Sequence, residues 1–267
     1  MVEAAETGPR GNLRTAEHAR RSLERRAPFV RPYLHPGMHL LDSGCGPGSI
    51  TIDLASAVTP GQVTGIDLDP ERIEEAKTAA AREGCDNVTF QVADIHELPF
   101  PDSTFDAVFQ SSVFIHLPDP AAAARELFRV LKPGGLLAAS EPDHELNVEG
   151  NAPPEMTEAI DLWHEWQRWR GSNHFFGKHL YGTLGQAGFE RRLLSLKVEC
   201  STGEDLVNLA RVAGGWFDET EWLAFCKQRG LTEAAFGHWR AAFPKWGEGR
   251  DSFAVQGRYE VVCWKPE

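Results

Sequence analysis

The residues that most clearly could form a binding site are an acid and three glycines at positions 39–49, HLLDSGCGPGS. Asp42 stands just before a turn that contains Gly44, Gly46 and Gly48. Glycine allows positive φ angles and lets a ligand approach the backbone closely. The spacing differs from the G-x-G-x-x-G fingerprint of dinucleotide sites, and a carboxylate at Asp42 would repel phosphate. It suits a cationic group such as the ammonium of an amino acid, while the glycines alone would also fit an ordinary tight turn.

The segments around this turn predict the first part of a βαβ unit. His39–Leu41 is a short apolar run that fits a buried parallel strand, and 50–58 has the pattern of an amphipathic helix. A second strand is predicted at Gln62–Ile66, and Asp67 follows it. In nucleotide-binding βαβ folds, an acid about 20 residues after the glycine turn binds ribose hydroxyls. Because ligands of such sheets lie at the carboxyl ends of the strands, we expect Asp42 and Asp67 to face one crevice.

Four ordered motifs make the chain resemble the class I S-adenosylmethionine-dependent methyltransferases, in particular the small-molecule branch that includes ubiquinone- and menaquinone-biosynthesis enzymes. The motifs are LLDSGCGPGS, GIDLDPERIEEA, VADIHELPFPDSTFDAVF and ARELFRVLKPGG, and they lie within 38–140. The resemblance implies an α/β fold with a Rossmann-like, seven-stranded, mostly parallel sheet flanked by helices. It also implies S-adenosyl-L-methionine as cofactor and methyl transfer to an O, N or C atom of a small, apolar or aromatic metabolite.

The resemblance places the cofactor-binding residues at the ends of the first four strands. Asp94 follows the predicted third strand, and in the family an acid there accepts from the adenine amino group while the next amide, that of Ile95, meets the ring. The alternative is that Asp94 only caps the following turn. The complete predicted set is Asp42, Gly44, Gly46, Asp67, Leu68, Asp94, Ile95, Gln110 and Ser111.

Three side chains are candidates for a catalytic base, namely His144, His116 and Glu141. His116 follows the predicted fourth strand, and the other two follow the fifth strand at 136–140, so all three are expected near the crevice. Histidine titrates near neutral pH, as a general base must. An oxygen acceptor would need such a base, whereas an amine or an acidic carbon would need none. For His116 the alternative is a plain hydrogen bond to a neighbouring loop.

Two helical inserts distinguish the chain outside its cofactor-binding core at 38–140. They lie at 141–175, after strand five, and at 202–249, between strands six and seven, and both are rich in aromatic residues. We expect them to form a substrate lid within a single domain spanning 1–267. Trp163, Trp166 and Trp169 share a spacing of three, which predicts either a core stripe or an aromatic wall of a substrate pocket.

Composition excludes several classes of protein. A net charge of −12 argues against nucleic-acid binding, which needs a basic surface. The five cysteines are scattered without a C-x-x-C pair, so neither a metal site nor a disulfide framework is expected. No apolar run is long enough for a membrane span, and no secretory leader is visible, so we expect a cytoplasmic protein. We then expect its partner to be a small-molecule acceptor, and the protein could form a homodimer.

Two alternatives remain open from the sequence. A methyltransferase-like protein that binds the cofactor without transferring methyl, as a cyclase or regulatory subunit, would keep the same glycines and acids. Arginines also cluster in the first 31 residues with glutamates between them, which indicates a solvated helix face. The competing interpretation is that this helix folds over the site and offers an arginine to an acidic substrate.

Overall fold

The short apolar runs of the sequence form a parallel sheet in the computed structural model, which describes residues 22–216 and 220–267. The N-terminal arginines up to position 21 lie outside the described residues. Parallel strands that carry helices on both faces are buried and therefore apolar. The parallel strands are β1 His39–Ser43, β2 Gln62–Asp67, β3 Val88–Val92, β4 Phe105–Ser111 and β5 Leu131–Pro142.

The strand order creates a binding crevice. The sheet runs β3-β2-β1-β4-β5, so the direction of winding reverses between β1 and β4. Asp42 pairs with Gly65 on one side and with Phe109 on the other. In open α/β sheets, ligands bind at such a reversal, outside the carboxyl ends of the strands. The topology therefore fixes where a site belongs before any side chain is considered.

The helices follow the start signals of the sequence. Asp69 and Asp119 each cap a helix whose first residue is proline, which lacks the N–H that would be unpaired there. The described helices are α1 Leu23–Arg26, α2 Ser49–Val58, α3 Pro70–Glu83, α4 Pro120–Val130, α5 Pro154–Trp169, α6 Leu180–Gln186, α7 Gly203–Trp216, α8 Thr220–Gln228 and α9 Glu233–Gly247. None of these helices combines the length and the apolar character that a membrane crossing requires.

Three more strands bring the sheet to eight, so the expectation of seven was wrong by one. β8 Phe253–Trp264 runs antiparallel to β5, and β7 Glu190–Ser201 pairs with β8. The strand that the sequence did not reveal is β6 Val148–Gly150, which pairs with the start of β8. Three residues are too few to show a period-two pattern, which is why this strand was missed.

Internal contacts divide the chain into two units, which are described separately. The sheet unit comprises the described part of Thr15–Pro142 together with Phe176–Leu196 and Arg258–Glu267. The helical unit comprises Asp143–Phe175 and Lys197–Gly257, and it therefore contains most of the two predicted inserts. The single-domain and lid interpretations stay predictions.

Each unit has its own apolar core. In the sheet unit, Leu41, Val108 and Leu137 of neighbouring strands are fully buried. In the helical unit the core is aromatic, and Trp166 packs edge-on against Trp222 with ring centroids 5.7 Å apart.

The three tryptophans of α5 differ in burial. Trp163 and Trp166 are buried, whereas Trp169 is 62% exposed. Six residues correspond to about 1.7 helical turns, which rotates Trp169 away from the face of Trp163.

Candidate functional site

A cavity of about 560 Å³, the strand-end cavity, opens at the carboxyl ends of β1, β2 and β4. It brings together eight of the nine predicted cofactor-binding residues, together with His116. The eight are Asp42, Gly44, Gly46, Asp67, Leu68, Asp94, Ile95 and Ser111. The ninth, Gln110, does not line it, and among the base candidates Glu141 does not line it either.

The glycine turn passes directly beneath the cavity. Gly44, Gly46 and Gly48 have φ angles of 75°, 53° and 81°, in the left-handed region that favours glycine. At Gly44 a Cβ atom would also overlap the Cγ2 atom of Val113. The turn therefore needs glycine at position 44 for two separate reasons, its backbone angle and its close packing.

Asp42 is a buried acid on the floor of the cavity. Its side chain is 3% exposed, and its Oδ2 accepts a hydrogen bond of 2.6 Å from the hydroxyl of Thr51. Burial raises the pKa of Asp42 to about 7, the charge of Asp67 adds to the rise, and the Thr51 hydroxyl opposes it. A cation placed beside this carboxyl would favour its charged form.

Asp67 is held by backbone amides on both sides. Its Oδ2 accepts from the N–H of Gly46 at 2.9 Å, and its Oδ1 accepts from the N–H of Asp69 at 3.0 Å. A carboxylate offers about four acceptor positions, so each oxygen retains capacity for a hydroxyl donor. The contact with Gly46 ties the end of β2 to the glycine turn.

Asp94 makes the contacts of a capping residue and also lines the cavity. Its Oδ1 accepts from the backbone N–H of His96 at 2.8 Å and lies 2.8 Å from the Nδ1 of that ring. The backbone N–H of His96 is the main reason that the pKa of Asp94 is lowered. The capping interpretation therefore has a contact in the structure, while the adenine contact stays a prediction.

The side chain of Gln110 turns away from the strand-end cavity. Phe109 and Ser111, its neighbours on β4, line the cavity, and alternate residues of a strand face opposite sides of the sheet. Gln110 instead donates to the carboxylate of Glu141 at 2.9 Å. Its side chain thus supports the loop after β4, and its predicted contact with the cofactor stays a prediction.

Glu141 is the centre of that support. Its side chain is fully buried, and burial raises its pKa while hydrogen bonds and the charge of Arg258 oppose the rise. The Oε1 accepts from the backbone N–H of Val113 at 2.9 Å and of Phe114 at 3.1 Å, and the Oε2 accepts from that of Ile115 at 3.4 Å. A carboxylate with this many donors, away from the cavity, holds a loop in place and is poorly placed to take a proton from an acceptor.

Arg258 is a residue that sequence analysis missed. Its guanidinium donates to the hydroxyls of Ser111, Ser112 and Ser140 at 3.1, 2.8 and 3.0 Å, and to the carbonyl of Ser140 at 2.9 Å. Ser111 and Ser112 line the strand-end cavity. Only the pairing of β8 with β5 brings this arginine to the ends of β4 and β5, and no local pattern in the sequence announces it.

Ser43 is a second residue that the predicted set lacked. It is fully buried at the end of β1, lines the cavity, and its hydroxyl oxygen has no hydrogen-bond partner among the described residues. A buried hydroxyl without a partner costs free energy until a ligand or water supplies one. Its position directly after Asp42 is the one signal that could have identified it.

The base candidates are divided between the two units. His116 ends a short 3-10 helix, Phe114–His116, and lines the strand-end cavity. His144 belongs to the helical unit, where its Nδ1 lies 2.7 Å from the Nε2 of His164 and its ring stacks on Trp163. There it lines a separate cavity of about 100 Å³.

Comparison with known families identifies one matching model. A family described as a methyltransferase domain matches residues 34–188, which is more than half of the chain. The match covers the whole strand-end cavity and the network behind it, apart from Arg258.

Individual relatives agree with this family. "Probable methyltransferase ltbC" of Aspergillus luteorubrus is 28% identical over 92% of this chain and 92% of its own length. An uncharacterized methyltransferase of Schizosaccharomyces pombe is 39% identical over 47% of this chain, and the match spans 48% of that protein. The chain thus spans about half the length of the yeast relative and nearly all of the Aspergillus one.

A solved structure shows the same fold. The YcgJ protein of Bacillus subtilis superimposes with a TM-score of 0.61 at 17% identity, covering 90% of this chain and 97% of that one. At this level of identity the similarity concerns the fold alone.

Proposed function

The chain belongs to the methyltransferase-domain family of class I, S-adenosylmethionine-dependent type, and from this premise we propose that it transfers methyl from S-adenosyl-L-methionine to a small, apolar or aromatic metabolite. One observation carries the proposal. Acids at the ends of β1 and β2 and just after β3 line a single cavity at the point where the winding of the sheet reverses.

The residues present fit this cofactor. Its methionine part carries an ammonium and its sulfur a positive charge, and among the described lining residues the carboxylates of Asp42, Asp67, Asp69 and Asp94 face one arginine, Arg72. A phosphate-bearing ligand would be repelled by this set of acids. The positive φ angles of the turn and the unpartnered Ser43 hydroxyl supply a close backbone approach and a polar contact.

Three of the four acids have a proposed partner on the cofactor. Asp67 accepts from the ribose hydroxyls, Asp42 attracts the ammonium group, and Asp94 accepts from the adenine amino group next to the amide of Ile95. Leu68 and Ser111 complete the walls. Gln110 contributes indirectly, because it helps Glu141 to hold the loop that carries Val113.

The cofactor supplies a methyl group on a positively charged sulfur, and the chain supplies position and a dry environment. Alignment of the two reactants and exclusion of water by the surrounding residues would provide much of the rate. His116, which lines the cavity, is the proposed base for an oxygen acceptor. His144, which belongs to the helical unit, is proposed to contact the methyl acceptor. Glu141 is proposed as a positioning residue in place of a base.

The test begins with calorimetric titration of S-adenosylhomocysteine, the demethylated product. The wild type should bind it, and Asp67→Ala should lose most of the affinity, because the ribose acceptor is removed. Incubation with S-adenosylmethionine and a panel of small aromatic compounds should then add the mass of one methyl group to an acceptor. Binding without any mass change would favour the cofactor-binding protein that transfers nothing, and no binding would reject the proposal.

The homodimer, the cytoplasmic location and the absence of nucleic-acid binding stay predictions. For the dimer, the sheet unit offers one supporting feature, since Leu193, Leu194 and Leu196 of β7 are 45%, 53% and 51% exposed. Exposed apolar side chains on a strand favour burial against a partner. Light scattering on the wild type and on Leu194→Lys would detect a dimer and its loss.

A further inference from the structure

The helical unit contains its own cavity of about 100 Å³, separate from the strand-end cavity. An engineered apolar cavity of about 150 Å³ holds a benzene molecule, and this cavity, at about two-thirds of that volume, has room for at most one aromatic ring. Most of the wall is apolar, with Met156, Ile160, Leu209, Phe243 and Trp246 among its residues. The polar residues of the wall are a pair of histidines together with Asn147, Glu149 and Gln256.

The two histidines are bonded to each other through their rings. The Nδ1 of His144 lies 2.7 Å from the Nε2 of His164, and both residues line the cavity. One ring must donate and the other accept, so the two rings cannot both be imidazolium ions. Burial, with the positive charge of Arg168, lowers the pKa of His164 to about 4, against a smaller opposing effect of Asp161. His164 is therefore neutral at neutral pH, and one proton lies between the two bonded nitrogens of the pair.

The surrounding aromatic rings are fixed in place. Trp163 stacks on His144 with an angle of 11° between the ring planes and 5.7 Å between centroids. Trp246 donates from its indole N–H to the carbonyl of Gly150 at 2.8 Å, which orients its ring. Two flat walls with preset orientation favour a flat ligand, and little side-chain entropy is lost when it binds.

The charge of the ligand is restricted by the same surroundings. Burial raises the pKa of Glu149, which lines the cavity, so this environment disfavours charge. An anionic ligand group would meet no lysine or arginine among the described residues that line the cavity, and any charged group would lose its hydration on entering it. A neutral hydroxyl can both donate and accept, so it can bond to an imidazole nitrogen in either role.

We propose that this cavity binds a neutral, hydroxylated aromatic ring of the methyl acceptor, with the hydroxyl hydrogen-bonded to the His144–His164 pair. The apolar walls select the ring, and the imidazoles select the hydroxyl. That the ring belongs to a methyl acceptor rests on the proposed function. The affinity of the cavity for a phenolic ring does not.

The test compares phenol with toluene, which has nearly the same size but lacks the hydroxyl. Both are titrated against the whole wild-type protein and followed by calorimetry, with S-adenosylhomocysteine titrated separately. A net hydrogen bond of about 1 kcal/mol predicts that phenol binds about fivefold more tightly than toluene. His164→Phe should abolish this preference while the affinity for S-adenosylhomocysteine is unchanged. The exposed His238 of the same unit provides the control, and His238→Phe should retain the preference.

Each outcome decides a different question. Equal affinities of phenol and toluene for the wild type would show that the histidine pair does not select a hydroxyl. If neither compound binds, the cavity is closed to ligands. Either result would overturn the inference. The wild-type comparison needs no variant and stands even if His164→Phe fails to fold. A preference for phenol in a protein that does not bind S-adenosylhomocysteine would uphold the cavity and reject the proposed function.

Discussion

The guanidinium of Arg258 donates a 2.8 Å hydrogen bond to the hydroxyl of Ser112, whose φ of 59° lies in the left-handed region. Serine rarely adopts this angle, and such a residue persists only where its surroundings hold it. Ser112 lines the strand-end cavity between Ser111 and Val113. An arginine on β8 therefore holds the shape of a cavity wall that is formed by the end of β4 and the loop after it.

Replacing this arginine should weaken cofactor binding. Arg258→Met removes the hydrogen bonds to the three serines, so the strained turn at Ser112 can relax. We expect the dissociation constant for S-adenosylhomocysteine to rise about tenfold, since strain of this kind amounts to roughly 1–3 kcal/mol. Calorimetry measures the change, and Arg250→Met, at an exposed arginine, is the control. Equal affinities of the two variants would contradict the prediction.

Glu141→Gln tests the support of the loop after β4. The amide nitrogen of glutamine cannot accept, so at least one of the backbone N–H groups of Val113, Phe114 and Ile115 loses its partner. We expect the free energy of unfolding to fall by about 1–3 kcal/mol, together with a weaker affinity for S-adenosylhomocysteine. Urea denaturation measures the first quantity and calorimetry the second. Glu83→Gln on the surface of α3 should change neither, and a Glu141→Gln protein with wild-type stability would show that the network is dispensable.

The affinity for the cofactor should depend on pH through Asp42. Its pKa of about 7 means that the carboxyl is mostly charged at pH 8 and mostly neutral at pH 6. A ligand ammonium favours the charged form, so the affinity for S-adenosylhomocysteine should fall as the pH is lowered from 8 to 6, approaching tenfold per pH unit below the pKa. In Asp42→Asn the affinity should be lower at pH 8 and nearly independent of pH. An unchanged pH profile in that variant would rule out Asp42 as the source.

Asp42 should also affect stability in a definite direction. Because folding raises its pKa, its contribution favours the folded state below the unfolded pKa of about 4 and is lost as the pH rises through 7. Without ligand, Asp42→Asn should therefore gain melting temperature relative to the wild type as the pH increases from 4 to 8. Thermal melts at several pH values measure the difference, and a constant difference would argue against the raised pKa.

Two glycines with similar backbone angles provide a matched pair. Gly44 and Gly84 have φ angles of 75° and 64°, but a Cβ atom would meet Val113 only at Gly44, while Gly84 has open space. Alanine at either position should cost about 1 kcal/mol of stability from its backbone angle. Gly44→Ala should in addition lower the affinity for S-adenosylhomocysteine by at least roughly tenfold, whereas Gly84→Ala should not. Calorimetry that finds the same affinity for both would contradict the close-packing argument.

The sequence predicted those cavity residues that lie at or just after the end of a strand. Asp42, Asp67 and Asp94 each end or follow an apolar run, and the rule that ligands bind at the carboxyl ends of parallel strands places them in one cavity. Such runs and glycine turns are local patterns, so a single sequence reveals them. The residues that line the strand-end cavity were largely predictable for this reason.

What the sequence could not show depends on long-range pairing and side-chain direction. Arg258 reaches the serines only because β8 pairs with β5, and Gln110 faces Glu141 because it alternates with two cavity residues. The histidine pair needs α5 to present His164 beside His144, which lies 20 positions earlier. None of these relationships leaves a local pattern of residue types.

The grip on Asp67 comes from the main chain, through the amides of Gly46 and Asp69. Every amino acid except proline carries such a donor, so most replacements at these two positions would leave the donor in place. Its direction depends on the path of the backbone, which glycine alone follows without strain at the turn. Substitutions in relatives should therefore leave the geometry around this carboxylate unchanged unless a glycine of the turn is replaced. A scan of tolerated substitutions would then show an abrupt loss at that glycine rather than a gradual decline.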